Sequence, residues 1–449
     1  MIKKAIKTRK MFKNTCKNIA LVVLVLLMGV LTVLAWSVGL LAGGNVAGMS
    51  PLTQFQALLP LGDGGYVRRA SETAAAYPVR IAMSSDDGLV GAVYQEALGA
   101  ALYDTLRPIL AEGVTHAEAF AETTDSTLQK ALDGKTIVAE YAGKVPLSLL
   151  AGWFGGSVRE ENRSLHAGTL VLTHDGLLFL RDGSDGTLYY AHTKLDTTVW
   201  DRVASVVSAS ACDYAGLLPQ EDYRKLHPET LLLQEPQAFP IYTVRPANFR
   251  DAAPGESLQR LLSAFSYDPL QRAYEEDQGA TQVFVGDASA LRVSNDGTVR
   301  YKATSVSNGI YAYQDGEMQA NNALAARVDF AQELLASALG AIGSSAPGML
   351  QELRYDQISG NWLVTFTQTL GGVPVRPAAN GVAARFEFSG GLLVSAELHL
   401  RVYTSTGEKL YVLPAKQAGA AANAAGKGYV VAYQIGQDGR ALAQAYLAT

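Results

Sequence analysis

The sequence predicts an α+β protein: a single N-terminal transmembrane helix followed by extracytoplasmic domains of antiparallel sheet packed with helices. Three observations predict it. Seven basic residues and no acid precede a charge-free run from Ile19 to Leu41. Beyond that run, short alternating apolar segments are separated by Gly, Asn and Asp turns. Between those segments lie stretches with apolar residues at helical spacing.

The basic residues are Lys3, Lys4, Lys7, Arg9, Lys10, Lys13 and Lys17. As helix, the run from Ile19 to Leu41 measures about 35 Å at roughly 1.5 Å per residue, enough to cross a hydrocarbon core of about 30 Å. The charge excess keeps the N-terminus in the cytoplasm and sends the rest outside. The expectation is therefore a cytoplasmic basic tail (1–18), a transmembrane anchor (19–41) and a stalk (42–77) rich in Gly and Pro. A cleaved signal peptide is the alternative, but its apolar region usually spans about 7–15 residues. Ala42-Gly43-Gly44 and Asn45-Val46-Ala47 are the steps where such a cut could fall. Leu40-Leu41-Ala42-Gly43 has no cysteine for lipid attachment, and Cys16 lies on the cytoplasmic side.

Small residues recur on one face of the anchor: Gly29, Thr32, Ala35, Gly39 and Gly43, at three- and four-residue spacing. Such a stripe lets a neighbouring transmembrane helix approach closely, where association depends on van der Waals contact. Gly and Ala are also common in anchors that pair with nothing.

Setting the tail aside leaves 30 basic against 42 acidic side chains, a balance of about −12. That argues against nucleic acid and against electrostatic docking on anionic lipid. A hydrophobic content of 48% marks a folded chain, and its length calls for two to four external domains. Cys212 is the one cysteine outside the tail, so no internal disulfide forms there. A large external part without disulfides suggests a bacterial surface.

The first external domain is expected over 78–240. It opens with a strand, Val79–Met83, then a long helix carrying Leu89, Val93, Ala97, Leu102, Leu106 and Ile109. Ser126 to Gln129 reads as a capping box for a second helix. A strand at 136–141 and a proline-started helix at 146–154 follow. Strands at 169–173, 177–181 and 187–191 are joined by His174-Asp175-Gly176 and by Asp182-Gly183-Ser184-Asp185-Gly186, turns that supply the positive φ of tight hairpins. Thr198 begins a helix, and 210–240 is turn-rich without assigned elements. The second domain, β-rich, spans 241–320: a strand at 241–245, a helix near 257–265, a strand at 281–285, and a hairpin around Asn295-Asp296-Gly297. The third, over 321–449, places an amphipathic helix (321–342) on a curved antiparallel sheet. Its strands are expected at 350–357, 362–368, 382–388, 392–402, 409–412 and 429–435, with an Ala-rich helix at 415–424 and a last piece at 440–447.

No enzyme signature survives inspection. There is no Gly-x-Ser-x-Gly elbow, no Ser-x-x-Lys with its usual companions, and no His-Glu-x-x-His among the six histidines. His166, His174 and His192 surround one β-meander and could meet on zinc only if strand residues that alternate in direction converged. The Asp182–Gly186 loop echoes a calcium loop but lacks the distal glutamate. Gly152-Trp153-Phe154-Gly155-Gly156 follows a helical stretch, where a phosphate cradle needs a helix start. Asp86-Asp87 and Glu275-Glu276-Asp277 are carboxylate pairs that serve acid–base work only in a cleft. Neither cofactor nor metal is expected, and Cys212 reads as a buried structural thiol.

The order of these pieces resembles the YycH/YycI family of membrane-anchored regulators of an essential cell-wall two-component sensor kinase. The resemblance starts from the basic tail, single anchor and external α+β domains. It runs through Leu178-Phe-Leu-Arg-Asp182 with Thr187-Leu-Tyr-Tyr190, and through Val283-Phe-Val-Gly-Asp287 with Asn295-Asp-Gly297 and Val299-Arg-Tyr301. It is most suggestive in Leu353-Arg-Tyr355, Trp362-Leu-Val-Thr-Phe366-Thr-Gln368 and Gly372-Val-Pro-Val375, and covers most of 78–449. The resemblance implies three external domains, no catalytic residues, and partners consisting of a membrane sensor histidine kinase and a second single-pass regulator. The alternatives left open are an anchored cell-wall hydrolase with a dispersed site, a wall-ligand-binding module, and a structural or transport-accessory spacer.

Overall fold

The computed structural model describes residues 77–448, apart from 86–87, 206, 250–255, 269–272, 314–319, 377–381 and 427. The anchor, the stalk up to residue 76 and the stripe Gly29, Thr32, Ala35, Gly39 and Gly43 lie outside the described residues, as does Asp86-Asp87. Among the described residues no helix is long and apolar enough to cross a membrane. The architecture is mixed α+β, with sheets that are almost wholly antiparallel.

The chain begins with β1 (Arg80–Ser85) and β2 (Gly88–Val93), followed by α1 (Glu96–Thr115). This corrects the expected long helix: Leu89 and Val93 sit in β2, not in helix. Helical and strand periodicities overlap over so short a stretch, and glycine decides between them. Gly88 has φ +123°, and a Cβ on Gly91 would lie 2.7 Å from that of Ala82, an approach between paired strands that only glycine permits. Next come β3 (Ala121–Glu122), α2 (Asp125–Leu132), β4 (Thr136–Pro146) and α3 (Leu147–Phe154), with Pro146 at the N-cap. Helix α2 starts two residues ahead of the expected capping box, with Thr124 as N-cap in place of Ser126. Then follow β5 (His166–Thr173), β6 (Leu177–Asp182), β7 (Leu188–His192), α4 (Thr197–Ala204), β8 (Ser210–Tyr214), α5 (Gln220–Tyr223), β9 (Leu231–Leu233) and β10 (Ala238–Pro246).

A first sheet runs β8-β2-β1-β4-β5-β6-β7-β3, antiparallel throughout. Both its faces are buried. Ile81, Ile137, Leu170, Leu172, Leu178 and Leu180 enter one core with α1 and α3, while Ala82, Val138, Val171 and Phe179 enter a second. That is why Leu170-Val171-Leu172 and Leu178-Phe179-Leu180 are continuous apolar runs; a strand covered on both sides has no polar face to alternate with.

The second sheet is built from β11 (Ala273–Glu276), β12 (Thr281–Val285), β13 (Ser289–Ser294), β14 (Thr298–Ala303), β16 (Gly348–Asp356), β17 (Asn361–Leu370), β19 (Ala384–Ser389) and β20 (Leu392–His399). Their order is β11-β12-β13-β14-β20-β19-β17-β16, with short β15 (Ile310–Tyr311) beside β20. Helices α6 (Glu256–Ala264) and α7 (Ala320–Ala341) cover one face; α7 buries Val328, Ala331, Leu335, Ala338 and Leu339. Each fully buried Leu or Val contributes about 1.5–3 kcal/mol. The β14–β20 pairing joins the stretches 241–320 and 321–449 in one sheet.

The third sheet joins β10 to β18 (Val373–Arg376), β21 (Arg401–Tyr411), β22 (Gly428–Ile435) and β23 (Arg440–Ala448), in the order β21-β10-β23-β22-β18, with α8 (Ala415–Ala425) against it. Its edge strand β21 carries a bulge between its pairings with Pro240 and Tyr242, a device that blunts an exposed edge. The described residues form one compact unit. The first and second sheets meet where Glu352 of β16 pairs with Lys144 of β4. The second and third are continuous through the β17–β18 turn.

Candidate functional site

A groove runs past the first turn of α1. Gln95 is the N-cap, with extended backbone, and its carbonyl accepts from Gly99 N at 2.7 Å. Glu96 N donates to Gly371 O at 3.1 Å, so the two-glycine turn between β17 and β18 takes up one of the helix's orphan amides. Gly372 has φ +88°, and a Cβ there would lie 2.8 Å from Glu96 N. Only glycine lets this turn seat so closely. Tyr77, Pro78, Val79, Met349 and Thr369 complete the slot, and Tyr77 stands edge-on to Tyr103 at 5.2 Å. Desolvation raises the Glu96 carboxyl above the usual glutamate range.

Gln95 also lines a second hollow, of about 360 Å³, walled by Ala209–Ala211 and Leu233–Gln237. Its walls are tied by amides: Gln237 Nε2 donates to Val93 O at 2.8 Å, and Gln234 Nε2 to Asp213 Oδ1 at 3.3 Å. Asp213 in turn meets Lys416 at 2.8 Å. The chemistry offered is that of amides, hydroxyls (Tyr77, Ser210, Thr369) and carboxylates (Glu96, Glu235), suited to holding a polar chain by hydrogen bonds.

Under the groove lies a buried arginine. Arg80 is 2% exposed and forks onto Glu140 at 2.8 and 3.1 Å. Its Nη2 donates to Tyr94 Oη and to Tyr429 O, both at 2.8 Å, and its guanidinium lies 4.9 Å from the Tyr94 ring. Tyr94 Oη also accepts from Val431 N at 3.1 Å. The Glu140 charge and Tyr rings hold the arginine's pKa up against desolvation. Tyr94 itself adopts φ +54°, a left-handed conformation costly for a bulky residue, which turns the chain sharply from β2 into α1.

A second buried arginine is architectural. Arg181 on β6 binds Glu229, Asp125 (2.7 Å) and Gly186 O (3.0 Å), tying the loop before β9 and the start of α2 to the first sheet. The Asp182–Gly186 loop beside it is a plain hairpin turn. Asp182 Oδ1 accepts from Ser184 N at 2.6 Å and Asp185 Oδ1 from Thr187 N at 2.8 Å, so both carboxylates serve the backbone.

The histidines do not converge. His166 and His174 bracket β5, about 25 Å apart at roughly 3.3 Å per residue, and His192 ends β7 opposite Leu177. Among the described residues no group of three His, Cys, Asp or Glu side chains could hold a metal ion. Cys212 is buried, with its thiol pushed up to about 12 chiefly by desolvation. Glu276 pairs with Arg292 at 3.2 Å on the outer edge of the second sheet, away from the groove. Gly152–Gly156 closes α3, as expected from sequence, with Gly155 as its left-handed C-cap.

The groove residues Gln95, Glu96 and Glu235 carry no pattern that sequence reading could have found. Arg80 does carry one: a charge inside the apolar run from Val79 to Met83. Comparison with protein-family models and with curated proteins gives no match for this chain.

Proposed function

We propose that the chain is a non-enzymatic, membrane-anchored regulator of a bacterial two-component sensor kinase controlling cell-wall metabolism, acting through its transmembrane helix and extracytoplasmic domains. The observation that carries this reading is the place of the groove. One wall is Tyr77–Val79, the stretch that leads from the expected stalk into β1. A partner segment or wall-derived ligand seated there bears on the same strand that leads back to the anchor. The amide-rich lining suits main-chain hydrogen bonding to a partner, and the resemblance to the YycH/YycI family supplies the kinase and a second single-pass regulator as partners.

The test is a mild-detergent pull-down of the full-length chain from its native membrane, beside an anchorless 45–449 control and an Ala35→Leu/Gly39→Leu variant. The expected result is recovery of a sensor kinase and a small anchored protein, lost in the control and weakened in the variant while insertion is kept. Recovery of wall fragments without a kinase would overturn the reading in favour of an anchored wall hydrolase or wall-ligand module.

A further inference from the structure

We infer that Arg80 and Tyr94 form a latch coupling occupancy of the groove to the seating of the C-terminal strand β22; the inference rests on the groove being the site proposed above. Two groove-lining residues, Val79 and Gln95, are the immediate chain neighbours of Arg80 and Tyr94. Those two side chains reach away from the groove to the same short stretch of β22: Arg80 to the carbonyl of Tyr429 and Tyr94 to the amide of Val431. They are also bound to each other, at 2.8 Å. A displacement of Val79 or Gln95 therefore moves a donor or acceptor of β22 with it.

Three features make this a device with two settings and not a passive brace. Tyr94 sits at φ +54°, where a bulky residue is held only by its surroundings. Arg80 Nε has no hydrogen-bond partner, so the buried guanidinium is not fully satisfied in this arrangement. Glu140, its counter-ion, is 23% exposed at the side chain and can follow the guanidinium or release it to water. An unfilled donor on the buried cation and a counter-ion that reaches solvent leave room for a second seating of the guanidinium. The coupling runs both ways by linkage: whatever loosens β22 also shifts the preferred state of the groove.

The experiment uses the full chain in detergent micelles carrying Cys16→Ser and Glu235→Cys, which puts one reactive thiol in the hollow beside the unreactive Cys212. A pyrene maleimide on that thiol wedges the hollow, and amide hydrogen exchange is read across 428–435. With Tyr94 intact, the wedge should speed exchange at Val431 on the order of 10-fold. In a Tyr94→Phe background, which keeps the ring but removes both hydrogen bonds, exchange should already be fast and the wedge should add nothing. Arg80→Lys should give an intermediate coupling. A wedge that leaves Val431 unchanged with Tyr94 present, or that acts equally in both backgrounds, overturns the latch. A chain that recovers the kinase yet fails here keeps the regulator reading and loses the latch; the converse keeps the latch and loses the regulator.

Discussion

Replacing Gly143 with alanine should cost more than any other single methyl group added to this protein. Gly143 sits in β4 beside Lys144, where the first sheet touches β16 of the second. A Cβ there would lie 1.9 Å from Gln351 O, 2.6 Å from its carbonyl carbon and 2.7 Å from its Cα. Real Cβ contacts do not fall below 3.0 Å, so β4 and β16 must part by at least 1.1 Å. The obstacle is backbone on both sides, so no rotamer change relieves it. The separation also stretches the Lys144–Glu352 ion pair, now at 3.4 Å. Overpacking of this kind costs about 1–3 kcal/mol, and the missing rotamer escape places it near 3 kcal/mol. Urea unfolding of the 62–449 portion, followed by tryptophan fluorescence, measures it as a lower midpoint at unchanged slope. Gly152→Ala is the control. Gly152 lies inside α3, a Cβ there meets nothing within 4 Å, and helix propensity predicts a gain of about 0.5–1 kcal/mol. A Gly143→Ala loss smaller than about 0.5 kcal/mol would refute the reasoning, because surface-like tolerance means the seam is not closed as described.

Glu229→Ala should destabilise by about 3–5 kcal/mol in the same assay, since it removes the buried carboxylate and leaves the guanidinium only the exposed Asp125 and the Gly186 carbonyl; Glu256→Ala, at an exposed i,i+4 pair with Arg260, should change stability by less than about 0.5 kcal/mol. With its thiol pushed up to about 12, Cys212 of the native 62–449 portion should resist a disulfide reagent at pH 8 and react only once urea unfolds it. His399 on β20 is held below its ordinary pKa of 6.5, first by desolvation and then by Arg401 and Arg300, against the opposing pull of Glu397 and Asp296. The unfolded chain then binds this proton more readily than the folded one. The histidine's contribution is therefore complete above about 6.5 and declines as pH falls below it. His399→Gln should flatten the stability profile below about pH 6.5, and an unchanged slope there would remove His399 as the cause.

Much of the fold was legible wherever burial is one-sided or the turn chemistry is explicit. The Asn295-Asp296-Gly297 hairpin, the helix at 320–341 and the Ala-rich helix at 415–425 all stand where their patterns put them. Pattern reading failed where tertiary contact overrides it. Residues 88–93 carry helical spacing but form a strand because Gly91 packs against the backbone of Ile81 and Ala82. The turn-rich 210–240 stretch yields β8 and β9, both short and paired with each other, and the first residues of β10, whose body lies on the strand expected at 241–245 and is held between β21 and β23. The candidate site was illegible for the same reason. Its walls come from residues 77–79, 95–96, 209–211, 233–237, 349 and 369–372, and nothing local in any of these foretells the others. Gly372-Val-Pro-Val375, quoted for the family resemblance, is the turn and strand that cap α1 and pair with β22.

The seams between the sheets decide how the external part unfolds. Reading the sequence as segments 78–240, 241–320 and 321–449 implies units that could melt separately. Every seam, however, crosses those limits. Gly143 and Lys144 join the first stretch to the third at Gln351 and Glu352. The β14–β20 ladder joins the second to the third over five residue pairs. Arg80 joins the first to the third at Tyr429, and β10 spans nine residues between β21 and β23. Melting the third stretch would strip Tyr429 from the buried Arg80, and melting the second would strip β14 from β20, each a loss of several kcal/mol set against a typical total of 5–15. Partial unfolding is then never favourable, and fluorescence and far-ultraviolet circular dichroism should report one coincident urea transition for 62–449. Two separated transitions would show that the seams are weaker than their geometry implies, and with them the path from groove to C-terminal sheet.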